Sequence, residues 1–513
     1  MITASCDRKT SARGRLFRAA WVAGLFLPVF QAVFAQSFTG DSIVSLPARP
    51  GVYRLVGHVK IEHGGNRIFS DYADYDQRTG SCQAYDNLRI HTSDNVYITG
   101  EVLDYDGATG SYVVDRNVVM KDGRMTMETP SLLYEGRQNR AYYKNGGRMV
   151  SGETELTSLR GYYDGRTEMF HCFDSVVIVN PDYTIWTDSL HYGKNGLTRF
   201  RGHTDIETSD YFMYGGRGWF NQDENKVSLQ KDAYVKTKTS QTLYGDSIYY
   251  DLARKGGKVF GNVYILDTLR DCHLKGDYAE NDEVAGYAMI TESPRGVMVE
   301  NGDSLFVAGD TMVMTYDTAR HVKGLFVYHD VRFFREGIQG KCDSLAYCHA
   351  DTLMRLFHEP RVWLQGYQID GDTIKVWFSD NKPEKVLIQE NAFVTTPVSE
   401  PQAYYNQVKG RRIWGYFNDS SQFRLAHVIG AAQSIYYVLG ENPGELLGVN
   451  KTESQSLKMY FKDNEVQGVT VVKPSRTALY PAGDLTTRER TLRGFHWKPE
   501  SWPRSKFDIY PVW

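Results

Sequence analysis

Carboxylates recur in this chain at near-constant spacing, so they are the first residues to test for chemistry. Asp71, Asp188 and Asp246 each lie four positions before an aromatic residue. Asp277, Asp310, Asp343 and Asp372 continue from Asp246 at intervals of 31, 33, 33 and 29. Such a series would suit calcium binding or acid–base work. Calcium-binding β-rolls, however, need Gly-rich nonapeptide spacing, which is missing. Glycoside chemistry needs acids gathered in one cleft, not spread one per interval. A Gly-Asp corner is explained by turn chemistry, with Asp hydrogen-bonding its own backbone. The 13 His residues are scattered without ligand spacing and read as solvated strand residues. No H-E-x-x-H, G-x-S-x-G, P-loop or paired C-x-x-C occurs. No catalytic residue, metal ligand or cofactor is expected.

The elements that would carry these carboxylates repeat with them. The aromatics Tyr75, Tyr105, Tyr134, Tyr163, Tyr192, Phe220 and Tyr250 are spaced 30, 29, 29, 29, 28 and 30 apart. Two positions earlier stand Leu103, Leu132, Leu190 and Ile248, and seven earlier Ile98, Met127, Leu156, Ile185 and Leu243. A period this regular marks a structural repeat. After Tyr250 the beat loosens, with Met312, Leu345 and Ile374 as the apolar partners downstream of Asp310, Asp343 and Asp372. In "TLYGDSIYY", Leu243 falls at one parity and Ile248 and Tyr250 at the other. A flat strand would put them on opposite faces, so a bulge or corner at Gly245-Asp246 is expected. Each repeat then reads as two short strands joined at a bend and followed by a turn.

Composition agrees. The chain has 513 residues, a net charge of −3, and 35 Tyr and 47 Gly against 16 Pro. That balance favours half-buried strands and turns, and the near-neutral charge argues against nucleic acid. Arg13, Arg15 and Arg18, then "AAWVAGLFLPVF" and "VFA", read as a secretory signal peptide over 1–35, with a mature start at Gln36. Five Cys follow, an odd number without a dense framework, and read as free packing residues. Near the end, Thr486-Thr487-Arg488-Glu489 fits a capping box opening a short helix through Leu492.

The signal peptide, the ~29-residue period and segments such as "LYGDSIYYDLARKGGKVFGNVYI" (243–265) and "VSLQKDAYVKTKTSQ" (227–241) resemble the OstA-like (organic solvent tolerance) proteins. These are bridge components of periplasmic lipopolysaccharide transport. The resemblance covers roughly 52–378, together with the tail "LYPAGDLTTRERTLRGFHWKPESWPRS" (479–505). It implies an all-β chain of taco-like β jelly rolls stacked into an elongated array with a short C-terminal helix. The divisions expected are 36–225 and 226–395 for two jelly rolls, 396–472 for a smaller β unit and 473–513 for a cap or docking tail.

The resemblance also gives the apolar stripe a role. Ile98, Leu103, Met127, Leu132, Leu156, Ile185, Leu190, Leu243, Ile248, Leu274, Leu345 and Ile374 would line a trough for lipid A acyl chains of lipopolysaccharide. Val52, Leu55, Val59 and Ile61 would form an open N-terminal edge strand, while 485–502 would cover the C-terminal edge. Expected partners are jelly-roll domains of other lipopolysaccharide-transport proteins, or a second copy of the chain. The expected location is the periplasm, bridging to the outer membrane. The rival readings are a ligand-free structural or adhesive β-solenoid of the envelope and, more remotely, a polysaccharide-acting enzyme on a β-helix.

Overall fold

The computed structural model of the chain describes residues 37–509 apart from 124, 194–195, 239, 270, 301–302, 319–320, 380–381, 400–403, 441–444, 463–464 and 482–483. The expected signal peptide and the start at Gln36 lie outside the described residues. The thirty-five strands among the described residues belong to one antiparallel sheet.

Gln241–Asp251 shows how the sequence builds each strand. Gly245, Ile248 and Tyr250 are buried and Leu243 is half-buried, although the two pairs differ in parity. The register slips between them, at the expected corner. Gly245 pairs with Ala233 but Ser247 with Gln230, which leaves Lys231 and Asp232 extra on the neighbouring strand. On the other side Gly261 and Asn262 are the extra residues. A bulge of this kind flips parity, so both arms of the bent strand aim apolar side chains inward. The extra residues are left-handed, with φ of 66° and 55° at Lys231-Asp232 and 70° and 49° at Gly261-Asn262. The same dyad falls at Gly57-His58, Asp86-Asn87, Arg116-Asn117 and Asp174-Ser175. Gly, Asn and Asp adopt this conformation with least strain, which explains their share of these sites.

The structure corrects two details of the repeat. Each period holds two bent strands, such as Lys226–Thr237 and Gln241–Asp251, so the unit is a bent hairpin with four arms. The recurring Asp does not bond its own backbone. At four positions it accepts a hydrogen bond from the corner of the next strand: Asp71 from Asn87 at 2.6 Å, Asp188 from the N–H of His203, beside the left-handed Gly202, at 2.8 Å, Asp246 from Asn262 at 2.9 Å and Asp372 from Asn391 at 3.1 Å. The self-bonding Asp directly follows the aromatic. Asp76, Asp106, Asp164 and Asp251 accept from the N–H groups of Arg78, Ala108, Arg166 and Arg254 at 2.9–3.0 Å and hold the hairpin turns.

Both ends of the sheet differ from expectation. Val52–His63 is not the open edge. Ser37–Thr39 pairs with Lys60–Glu62, Ser42–Ser45 pairs with Tyr53–Val56, and the Asp41 N–H bonds the Gly57 carbonyl between them. Val52, Leu55, Val59 and Ile61 are buried in the core. At the other end Glu465–Tyr480 pairs only with Leu446–Lys462 among the described residues, so its outer edge is open. The segment 485–509 does not cover that edge. It lies across the face of the sheet, as its contacts with Gln407, Gln368 and Gln339 show.

The expected helix is replaced by a single turn. The Thr486 N–H bonds the Glu489 carboxylate at 2.9 Å and the Glu489 N–H bonds the Thr486 hydroxyl at 3.4 Å, so the capping box forms. Leu492 then gives its N–H to the Gln407 side chain instead of to a helical carbonyl. Only two 3-10 turns follow, Pro499–Ser501 and Lys506–Asp508. Sheet pairing is continuous through 225–226 and 395–396, the expected jelly-roll boundaries.

Candidate functional site

The inward side chains form two transverse rows, one on each arm of the bent strands. The first passes through Ile98, Met127, Leu156, Ile185, Leu243 and Leu274, each linked to the next by register partners such as Met120, Met149, Ile178 and Ile206. The second carries Leu103 and Leu132, then Leu190, Ile248, Leu345 and Ile374 beyond the short Arg140–Tyr143 strand. The twelve stripe residues read from the sequence therefore fall six and six on the two arms. All are buried in one continuous core except Leu243 and Leu274, which are half-buried against it.

Over the first half of the chain the free rims of the two arms are tied by polar side chains. His63 Nδ1 lies 2.7 Å from the Tyr105 hydroxyl, and the Tyr163 hydroxyl donates to Asp122 at 2.8 Å. The Gln222 amide donates to the Thr154 hydroxyl at 3.1 Å. The Tyr211 and Tyr250 hydroxyls both donate to Glu283, at 2.7 and 3.1 Å. Burial pushes the Tyr105 hydroxyl up to about 12 and the His63 imidazole below its ordinary value. His63 and Tyr105 therefore meet across the rim as neutral partners.

Toward the C-terminus the two rows part around a cavity of about 690 Å³. The first row enters its wall as Ile369, Val394 and Val408, paired in that order. The second enters as Ile388 and Ile413. The first row then shortens to Ser434, and Gly415 and Ala426 also line the space. Much farther upstream the same row is filled by larger side chains such as Met120, Ile178 and Met213. Tyr367, Phe423, Met459 and Phe461 add to a largely apolar lining, which Thr396, Asn406, Tyr436 and Tyr437 punctuate with polar groups and which holds no carboxylate or amine. Such a cavity can hold a hydrocarbon chain. None of the twelve stripe residues lines this cavity, although Ile374 pairs with its wall residue Ile388.

Comparison with known proteins places the first part of this architecture. Residues 44–188 match the family described as OstA-like protein. That segment is similar to OstA-like proteins. It contains the first four of the seven period-marking aromatics and both partners of the first two rim contacts, His63 with Tyr105 and Asp122 with Tyr163. A solved structure, LptH from Pseudomonas aeruginosa, also matches. It is described as the LptA homologous periplasmic component of the conserved lipopolysaccharide transport device. The match has 15% identity and a TM-score of 0.19, and covers 21% of this chain and 76% of that chain. No curated protein matches.

Proposed function

We propose that this chain is a periplasmic lipid-binding bridge of the lipopolysaccharide-transport type, which carries acyl chains between its two apolar rows toward the outer membrane. One observation carries the reading: the rows part around a largely apolar cavity of about 690 Å³ whose lining holds no carboxylate, amine or imidazole. The OstA-like match over 44–188 supports the family-level role. The chain acts by binding, not by catalysis. Its occupant is lipopolysaccharide through lipid A acyl chains, and Ile98 to Ile374 form the upstream lining once the tied rims separate. Its partners are the jelly-roll domains of other transport components, or a second copy, and they add to the open Glu465–Tyr480 edge.

Native mass spectrometry of the protein purified from the periplasm tests this reading through a co-purifying lipid A-type glycolipid. Photocrosslinkers at Leu243 and Val408 locate it. Capture at both supports a continuous path, and capture at Val408 alone confines the lipid to the cavity. Intramolecular crosslinks at both, in a folded protein, would favour the ligand-free solenoid.

A further inference from the structure

The strands that line the cavity are packed on their outer face by the chain's own tail. One outward row crosses the sheet through Val297, Phe306, Phe334, Gln339, Trp363, Gln368, Thr395, Gln407, Ile435 and Lys451, each the register partner of the next. Ten strands at about 4.8 Å spacing make this roughly 43 Å long. The segment 485–509 follows this row. The Lys451 ammonium donates to the Glu489 carbonyl at 2.7 Å. Gln407 accepts from the Leu492 N–H at 2.9 Å and donates to the Arg490 carbonyl at 2.9 Å. Gln368 accepts from the Lys498 N–H at 3.0 Å and donates to the His496 carbonyl at 2.8 Å. The Trp502 indole donates to Gln339 at 3.0 Å and stacks on Trp363, with ring planes 4° apart. Ile509 packs with Val297 at the far end.

Inside and outside alternate residue by residue along these strands. Ile369, Val394 and Val408 face the cavity, while their neighbours Gln368, Thr395 and Gln407 are buried under the tail. Upstream, where the interior is filled, the same outward row meets solvent at Lys236 and Val179. Packing is thus inverted: an arm hollow on one face is covered on the other. The cover is polar and incompletely matched. Trp363 Nε1, Thr395 Oγ1 and Arg490 Nε, all at the tail–sheet contact, are buried without a hydrogen-bond partner.

We infer that the tail is an external brace that keeps the cavity open, with Gln368 and Gln407 as its positioning residues. This rests on the cavity being the lipid site proposed above. A single sheet layer with an empty space on one side and water on the other would bury its apolar face by closing its arms together. The tail supplies the missing packing layer from outside, so cavity volume depends on tail docking.

The test uses the full-length protein, the double variant Gln368→Leu/Gln407→Leu, and cis-parinaric acid as the acyl probe. Hydrogen exchange at the Leu492 and Lys498 amides reports docking. The variant is expected to speed exchange there at least tenfold and weaken probe binding at least tenfold, with upstream amides still protected. Faster exchange with probe affinity within twofold of wild type would overturn the brace and leave the lipid reading standing. If the wild type itself ignores the probe, the lipid reading falls, and the brace is read from cavity filling. Ala426→Phe, on the opposite arm, is expected to recover at least half of the drop in melting temperature caused by the double variant. Strictly additive melting shifts would overturn the brace.

Discussion

The Asn262 side-chain amide donates to the Asp246 carboxylate at 2.9 Å, from a residue held at φ 49° on the neighbouring strand. The carboxylate of one bend thus fixes the left-handed corner of the next. The contact recurs, with Asp71 and Asn87 or Glu101 and Asn117 in the same places, both at 2.6 Å. Asp246→Ala is expected to lower stability by about 1 kcal/mol, the net worth of one hydrogen bond to a charged group near water. Asn262→Gly keeps the corner and loses only that bond. Asn262→Val adds about 1–2 kcal/mol of left-handed backbone strain. Chemical denaturation of the three variants should rank them with Asn262→Val least stable.

The two rows do not respond equally to truncation. Leu190 is 1% exposed in the filled interior, whereas Leu243 is half-buried. Leu190→Ala is expected to cost about 2–5 kcal/mol, as for other buried leucines. Leu243→Ala should cost clearly less, while Leu243→Asp should cost several kcal/mol because an unpaired carboxylate then faces the apolar row, roughly as for other buried charges. Urea midpoints for the three proteins check the order, and equal losses for both alanine variants would contradict the burial difference.

Acid should loosen the rim and its neighbouring imidazoles. Burial holds His63, His171 and His191 below the ordinary imidazole value. The folded chain therefore favours the neutral rings, and the unfolded chain binds more protons below about pH 6.5. Stability from these groups is full above that pH and is lost as the pH falls toward the lower folded values. Melting temperature should drop between pH 7.5 and 5.5, and by a smaller amount in the His63→Gln/His171→Gln/His191→Gln variant. An unchanged drop would assign the acid sensitivity to other groups.

The two sheet edges should associate differently. Glu465–Tyr480 offers sixteen residues of open strand with Val469 and Val472 exposed, 48% and 45%. The opposite edge is split into strands of three and four residues, and such short edges resist pairing. Val469→Lys/Val472→Lys should therefore abolish concentration-dependent self-association or capture of a jelly-roll partner. Light scattering across a concentration series reads this directly. Association unchanged by the lysines would move the contact away from this strand.

Much of this interior was legible in the sequence. Its period located the bends, and the apolar positions two and seven before each aromatic turned out to be the two rows. What escaped was set by partners far away in the chain. The bond between Asp246 and Asn262 joins separate strands, so Asp246 alone looks like an ordinary turn residue. The Asp after four of the seven aromatics, and the Asn or Asp dyads at the same period, were visible local signals of the true turns and corners. Gln368 and Gln407 carry no local mark that they are buried. Their partners are the amides of Lys498 and Leu492, 130 and 85 positions later. The short strands Ser37–Thr39 and Ser42–Ser45 carry too few apolar residues to announce that they cover Val52–His63.

The even hairpin repeat has a mechanical consequence. Each bent strand is bonded only to its immediate neighbours, so a chain pulled from its ends should come apart as a peeling front and not all at once. Each hairpin lost would release a contour length of about 100 Å, the reach of some 29 extended residues. A force–extension trace should show a ladder of evenly sized steps, with a taller one where the tail shears off its row of glutamines.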